Sequence, residues 1–171
     1  TRKESSAASD VYKRQRVPDF WLSDDGTLFV MRRFDLAGNE QLGFEDMAVL
    51  LRKSAQEKYL SSYETVAQMI GLLCGANRTE SLARYFEYVA LSVLVRNGDA
   101  HLKNFGLLYR HPGAAPAELA PLYDVVTTSV YAIDDPQSGR KLSDRTLALK
   151  LNRKRESVSY THLTLPTTPY V

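Results

Sequence analysis

The sequence predicts an α+β fold that combines amphipathic helices with a β-hairpin. Three observations support this: apolar stripes at helical spacing in residues 63–74 and 79–96, and two short apolar runs on either side of a His-Pro-Gly turn at 111–113. The chain has 171 residues, of which 44% are hydrophobic and 25% charged. This ordinary composition excludes a disordered, collagen-like or disulfide-framework protein, and the length fits one domain or a piece of a larger one.

Charge and cysteine content limit the partners and the compartment. The chain carries 22 Lys and Arg against 20 Asp and Glu, a net charge of +2 that is too balanced to indicate nucleic acid or an anionic membrane. The single cysteine, Cys74, cannot form an internal disulfide, and its apolar flanks predict a buried thiol. Because no apolar run approaches the roughly 18–20 residues of a membrane span, we expect a cytoplasmic protein without a membrane partner.

The two ends of the chain differ from its middle. Residues 1–15 mix small polar and charged residues without apolar periodicity, and residues 157–171 carry no charge and include Pro166 and Pro169. Both ends resemble translated sequencing-adapter read-through. We therefore predict non-native or disordered tails at 1–15 and 157–171, and a functional domain at residues 16–156.

Four elements are predicted before the centre of the chain. Residues 21–31 predict two strands joined by an Asp-Gly turn, and Gly38-Asn39 predicts a second turn. Residues 45–59 predict a helix. A second helix is predicted from Tyr63 to Cys74 and ends at Gly75.

The clearest predicted element is a helix from Thr79 to Arg96, with Thr79 as its cap and a core-facing apolar stripe that includes Tyr85, Phe86 and Leu94. A polar loop, residues 97–104, follows this helix. The hairpin comes next, with strands predicted at 105–109 and 118–122, and it leads directly into Tyr123 and Asp124.

Three residues around this hairpin suggest chemistry. Asp99 and Asn104 lie in the polar loop, and Asp124 lies just past the returning strand. If the hairpin closes, Asn104 and Asp124 are at neighbouring strand ends, where an amide oxygen and a carboxylate suit Mg²⁺ bound to a polyphosphate. Asp99 then stays free to accept a hydroxyl proton. This division of roles is that of a protein-kinase catalytic site.

Longer stretches resemble one family. NGDAHLKNFGLLY at 97–109 and LAPLYDVVTTSVY at 119–131 resemble the catalytic half of HipA-type serine/threonine kinases, which are toxins of bacterial type II toxin–antitoxin modules. LFVMRRFDL at 28–36 resembles the family's strand-and-hinge segment. FEDMAVLL at 44–51 resembles the following helix start, and TLALKLN at 146–152 resembles the segment after the metal-binding aspartate.

The resemblance implies roles for the three residues of the loop and hairpin. Asp99 corresponds to the catalytic base. Asn104 and Asp124 correspond to the Mg²⁺ ligands, and Asp124 stands in the place of the aspartate in the kinase DFG motif.

Four further residues correspond to nucleotide-binding positions. Phe34 lies at the hinge, where backbone groups meet adenine, and His101 occupies the position of a histidine beside the nucleotide. Tyr123 is expected to pack under the metal site, close to the nucleotide. Lys103 either neutralises the transferred phosphate or is simply solvated.

The implied architecture is a truncated, two-lobe, protein-kinase-like fold that runs from the hinge through the N-terminal part of a mostly helical large lobe with a catalytic-loop β-hairpin. The chain has no G-x-G-x-x-G loop, and before the hinge it has only Lys3 and Lys13 as lysines. We therefore expect that residues 16–156 are a partial kinase domain without its phosphate-gripping part. This leaves open whether the chain is active by itself.

The resemblance implies an ATP- and Mg²⁺-dependent kinase that phosphorylates a protein hydroxyl and arrests growth. The implied protein substrate is an aminoacyl-tRNA synthetase, as in related toxins, and the implied partner is a helix-turn-helix antitoxin that alone contacts DNA. Two alternatives stay open. One is a non-catalytic nucleotide-binding or interaction module, and the other is a metal-dependent phosphoesterase that uses Asp99, His101 and Asp124 as ligands.

Overall fold

The structure, a computed structural model, describes residues 17–113, 116–130, 132–134, 141–143 and 146–156. The tails predicted at 1–15 and 157–171 lie outside these residues. Within the described part, five short strands come first, three α-helices follow and six strands come last, which confirms the predicted mixture of helices and strands. The two-lobe arrangement and the mostly helical large lobe stay predictions.

Two small hairpins open the described chain. Strands β1 (Phe20–Leu22) and β2 (Phe29–Met31) pair antiparallel, and strands β3 (Leu36–Ala37) and β4 (Glu40–Gln41) do the same. Both turns contain a glycine with a positive φ, 69° at Gly26 and 64° at Gly38, and both turns are confirmed as predicted.

A three-stranded antiparallel sheet carries the predicted hairpin. Its order is β5 (Gly43–Asp46), β6 (Gly106–Tyr109) and β7 (Glu118–Leu119). The pairing of β6 with β7 confirms the hairpin, although β7 has only two residues. Because Asn104 comes just before β6 and Asp124 follows β7, the sheet brings both residues to one edge.

The helix predicted over residues 45–59 is wrong. Glu45 lies in β5, where its backbone pairs with β6, and helix α1 (Met47–Leu50) has one turn only. Arg52, with a φ of 53°, ends that turn. A separate 3₁₀ turn, Ala55–Glu57, then begins at Ser54, whose side chain and backbone both bond Glu57. The pairing of β5 with a strand far along the chain therefore overrides the local apolar pattern.

Helix α2 (Tyr63–Leu73) agrees with its prediction and stops before Gly75, whose φ is +48°. Helix α3 (Arg78–Leu94) begins one residue earlier than predicted, and Thr79 is not its cap. Asn77 holds the cap position, and its side-chain amide donates to the Ala117 carbonyl at 3.2 Å instead of capping the helix.

The core-facing side of α3 differs from the predicted apolar stripe. Tyr85 is buried, but Phe86 and Leu94 are 55% and 60% exposed. The buried side includes Arg84 and Tyr88, because the Arg84 guanidinium donates to the Leu119 carbonyl at 2.8 Å. A polar contact between α3 and β7 thus determines which side of the helix is buried.

The core lies between the two longer helices, the central sheet and one C-terminal strand, β10 (Thr146–Leu151). The other C-terminal strands are β8 (Ala132–Asp134), β9 (Lys141–Ser143) and β11 (Lys154–Glu156). Cys74 is fully buried, as predicted. In the part of the chain that the structure describes, no helix is both long and apolar enough to cross a bilayer.

Candidate active site

The loop at residues 97–104 is polar in sequence but buried in the structure. Asn97, His101 and Asn104 are 2%, 6% and 7% exposed. Arg96, with a φ of 54°, turns the chain from α3 into this loop, which ends in a 3₁₀ turn, Leu102–Asn104. A buried polar loop needs internal hydrogen bonds, because each unsatisfied group costs free energy.

The loop obtains these hydrogen bonds from its own side chains and from its neighbours. The Asn97 side-chain oxygen accepts the Asp99 N–H at 3.0 Å. The Tyr63 hydroxyl donates to the Ala100 carbonyl at 3.2 Å. The Leu102 N–H donates to the Lys58 carbonyl at 3.1 Å. The Asp99 backbone is therefore fixed from within the loop, while α2 and the segment before it hold the rest.

Asn104 and Asp124 are in direct contact. The Asn104 Nδ2 donates to the Asp124 Oδ2 at 2.8 Å, and the Asn104 Oδ1 accepts the His101 N–H at 3.0 Å. Asp124 has a φ of 55°, so its backbone adopts a left-handed turn just after the hairpin. The structure thus brings together the two predicted metal ligands, while their role stays a prediction.

Two more contacts join the loop to the segment around Asp124. The Tyr123 hydroxyl donates to the Lys103 carbonyl at 2.7 Å. The Thr128 hydroxyl donates to the Arg96 carbonyl and accepts the Gly98 N–H, each at 3.0 Å. With the Asn104–Asp124 contact, these bonds fasten residues 122–128 to the loop at three places.

Asp99, the predicted base, presents a partly exposed carboxylate, with 44% of its side chain accessible. Its Oδ1 accepts the Tyr59 hydroxyl at 2.5 Å and lies 3.9 Å from the His101 Nε2. The hydrogen bond to Asp99 and partial burial raise the pKa of Tyr59 to about 12. At neutral pH, Tyr59 therefore stays protonated and donates to Asp99.

His101 is a neutral imidazole in this setting. Burial lowers its pKa below the usual value, and the nearby Lys58 cation lowers it further. The Asp99 and Asp124 carboxylates both raise the pKa of His101, so each is close enough to interact electrostatically with the ring. Among the described residues, no group hydrogen-bonds the buried His101 Nδ1.

An aromatic cluster of Phe34, Phe44 and Tyr123 lies beside Asp124. The Phe34 and Tyr123 rings stack with centroids 5.4 Å apart at 22°, and the Phe44 ring meets Phe34 edge-on at 5.6 Å. Burial raises the pKa of Tyr123 well above its usual value. The structure therefore places the predicted hinge residue against the residue that precedes Asp124. Lys103, in contrast, has an exposed side chain.

The donor set suits one kind of cation. The described ranges contain no group of three or more His, Cys, Asp or Glu that could hold a metal. Mg²⁺, however, commonly takes only one or two protein ligands and completes its shell with water and phosphate oxygens. The Asp124 carboxylate and the Asn104 amide oxygen meet this requirement by ligand type, but in this structure the Asn104 Nδ2 faces Asp124 and its Oδ1 accepts the His101 N–H.

The sequence alone did not point to Tyr59 or Thr128. Tyr59 precedes Asp99 by 40 residues and belongs to no motif, so no spacing rule links them. Thr128 lies in a Thr-Thr-Ser run that has no pattern of its own. Asn97, which opens the N-x-D-x-H-x-K-N string, could be found from sequence, because it lies two residues before Asp99.

Comparison with known proteins agrees with the geometry. The family described as HipA-like C-terminal domain matches residues 11–168. A Sinorhizobium fredii protein named "Putative kinase Y4dM" is 29% identical over 107 residues, which cover 62% of this chain and 25% of that protein. A Haemophilus influenzae protein named "Putative kinase" is 36% identical over 75 residues, 44% of this chain and 21% of that protein.

A solved structure shares the fold. The Shewanella oneidensis complex of the toxin–antitoxin proteins HipA and HipB with operator DNA matches with a TM-score of 0.66 and 17% sequence identity. The match covers 86% of this chain and 37% of that one. The chain belongs to the HipA-like C-terminal domain family, which confirms the resemblance found in the sequence. It spans about a quarter of the length of the curated relatives.

Proposed function

We propose that this chain carries the catalytic loop and the metal-binding residues of an ATP-dependent protein kinase of the HipA toxin type. The protein would transfer the ATP γ-phosphate to a serine or threonine hydroxyl of another protein. The observation that carries the proposal is the buried loop that presents Asp99 beside the contact between Asn104 and Asp124. The family and the kinase names of its relatives support it.

In this proposal Asp99 is the general base. Its carboxylate is partly exposed, while Asn97, His101 and Asn104 of the same loop are buried, so an incoming hydroxyl has access to it. Asn97 bonds the backbone N–H of Asp99, and Tyr59 bonds the Oδ1 of its carboxylate. Fixed placement of the base reduces the entropy that is lost when the hydroxyl is aligned for transfer.

Asn104 and Asp124 would hold Mg²⁺, which, when bound, neutralises charge on the phosphate oxygens of ATP. Their own contribution is placement, because the hairpin and the three contacts between residues 122–128 and the loop fix the two oxygens relative to Asp99. The exposed Lys103 is free to approach a phosphate, although a purely solvated role is equally open.

The nucleotide base would lie near the aromatic cluster. Phe34 and Tyr123 form an apolar surface directly before Asp124, so adenine beside them would place its phosphates toward the metal ligands. His101, neutral because burial lowers its pKa, adds no charge and can hydrogen-bond the nucleotide.

The proposed partners follow the solved relative. HipA is found there with HipB and operator DNA, and we propose that this protein likewise binds a helix-turn-helix antitoxin in the cytoplasm. The nearly balanced charge of the chain fits contact with DNA only through that partner. Growth arrest through phosphorylation of a protein such as an aminoacyl-tRNA synthetase is the biological role that the family resemblance implies.

Neither alternative is favoured by a specific observation. A phosphoesterase that uses Asp99, His101 and Asp124 would need further ligands, and the described residues supply no such cluster. A non-catalytic module would keep nucleotide binding without phosphate transfer, which the experiment below detects.

The test is transfer of labelled γ-phosphate from ATP by the protein expressed from its complete gene. We expect the parent to label itself or a partner protein, and Asp99→Asn to lower the rate by about 10²–10⁴-fold while ATP still binds. Asp24→Asn, which makes the same change at an exposed turn, is the matched control and should retain the parent rate. Equal rates for the parent and Asp99→Asn would refute the assignment of the base.

A further inference from the structure

The hydroxyl of Tyr59 makes a direct hydrogen bond with the carboxylate of the proposed base. It donates to the Asp99 Oδ1 at 2.5 Å, across 40 residues of sequence. Tyr59 follows the 3₁₀ turn Ala55–Glu57 and lies in neither of the two longer helices. A single hydrogen bond between such distant residues forms stably only if both side chains are held in place. The contacts around Tyr59 hold its ring.

The Tyr59 ring is held by the loop that it contacts. Its edge meets the His101 ring with centroids 5.2 Å apart at 71°, and the Lys58 Nζ lies 4.9 Å from its centroid. The Lys58 carbonyl in turn accepts the Leu102 N–H. The segment at 58–59 is thus attached to the loop by both backbone and side-chain contacts, which fixes the hydroxyl opposite Asp99.

This arrangement gives the two oxygens of the Asp99 carboxylate different surroundings. Oδ1 is bonded by Tyr59 and lies near His101, while within the described residues no hydrogen bond reaches Oδ2. A carboxylate turns readily about its last side-chain bond unless an oxygen is held. The bond to Oδ1 therefore fixes the plane of the group and leaves Oδ2 as the free acceptor.

We propose that Tyr59 is a positioning residue for phosphoryl transfer: it holds one oxygen of Asp99 so that the other accepts the proton of the incoming hydroxyl. The proposal rests on the proposed kinase function. Tyr59 itself transfers no proton, since it stays protonated with a pKa of about 12. Its contribution is orientation, which acts on the chemical step and not on nucleotide affinity.

The experiment compares two tyrosine variants in the phosphate-transfer assay. Tyr59→Phe removes only the hydroxyl bonded to Asp99 and keeps the ring against His101. Tyr109→Phe is the matched control, because it removes a tyrosine hydroxyl that bonds Glu45 in the central sheet and not the loop. We expect Tyr59→Phe to lower kcat by about tenfold, with KM for ATP within about twofold of the parent, and Tyr109→Phe to leave kcat within about twofold.

A double-mutant cycle checks that Tyr59 acts through Asp99. In the Asp99→Asn background, Tyr59→Phe should lower the residual rate no further. An unchanged or raised kcat in Tyr59→Phe would overturn the proposal, and so would an equal loss in Tyr109→Phe, which would indicate a general effect of removing a tyrosine hydroxyl. A parent protein without Asp99-dependent transfer would instead refute the proposed function, and the role of Tyr59 with it.

Discussion

The loop at residues 97–104 buries polar side chains, whereas the β1–β2 hairpin exposes apolar ones. The loop is polar, yet Asn97, His101 and Asn104 are less than a tenth exposed. The hairpin is apolar, yet Phe20 and Leu22 are 57% and 61% exposed. Folding normally buries the apolar segment and exposes the polar one, so both regions need a specific explanation.

The difference lies in the hydrogen bonds. The buried side chains of Asn97 and Asn104 both have named partners, the Asp99 N–H and Asp124 respectively, whereas no described group bonds the His101 Nδ1. The desolvation cost of the loop is therefore offset by bonds that also fix the site. The hairpin has backbone pairing but little side-chain burial, so it adds little to the stability of the described fold. Buried polarity coincides with the proposed site here, and exposed apolarity does not.

The largest effect on stability is expected from Asn97→Ala. This change leaves a buried space and removes the acceptor of the Asp99 N–H, so we expect it to lower the free energy of unfolding by about 1–3 kcal/mol. Urea unfolding measures the loss. Asn39→Ala, at an exposed turn, is the control and should change stability by less than about 0.5 kcal/mol. Equal effects of the two variants would contradict the contrast between buried and exposed polar groups.

A smaller loss is expected from Thr128→Val, which keeps the shape of the side chain but removes both hydroxyl bonds to the loop. We expect a loss of about 1 kcal/mol in urea unfolding, because each bond contributes a modest net amount. The neighbouring Thr127→Val is the control, since Thr127 is exposed and its hydroxyl contacts Ser129 and not the loop. If Thr127→Val costs as much as Thr128→Val, the segment at 122–128 is not fastened through Thr128.

The Tyr63 hydroxyl provides a pH-dependent test of the buried region. Burial raises the pKa of Tyr63 to about 12, so the folded protein binds this proton more tightly than the unfolded chain does. Its stabilising contribution is present below pH 10 and is lost as the pH rises through about 12. The free energy of unfolding of Tyr63→Phe should therefore decline less steeply between pH 10 and about 12 than that of the parent. Identical slopes would show that Tyr63 does not titrate as a buried group.

The smallest effect is expected in the exposed hairpin. Leu22→Thr keeps a residue that favours strands and removes an exposed apolar side chain, so the free energy of unfolding should change by less than about 0.5 kcal/mol. Differential scanning calorimetry can measure this small change. A loss above 1 kcal/mol would mean that this face of the hairpin is packed.

Local patterns predicted the parts of the fold that depend on local contacts. The helical periodicity located α2, the glycine turns located the two small hairpins, and the closing of β6 on β7 brought Asn104 next to Asp124. These features follow from spacing and turn chemistry, which a single sequence contains. The structure stacks Phe34 on Tyr123, while their nearness to the nucleotide stays a prediction.

The errors arise where distant residues compete with local preference. β5 replaced the start of a predicted helix because its backbone pairs with β6, more than 60 residues away. The buried side of α3 differs from the apolar stripe because Arg84 bonds the carbonyl of Leu119. Tyr59 was missed for the same reason, since only the folded chain brings it to Asp99. The sequence pattern holds no information on these pairs until the tertiary contacts are known.

The central claim, that the buried loop and Asp124 form a site for Mg²⁺ and nucleotide, is tested most directly by calorimetric titration with ATP. The protein from the complete gene should bind ATP more tightly with Mg²⁺ than without it, and Asp124→Ala should weaken that binding by at least about tenfold, or 1.4 kcal/mol. Asp24→Ala, at an exposed turn, should bind as the parent does. Equal ATP affinity in the parent and Asp124→Ala would contradict the account.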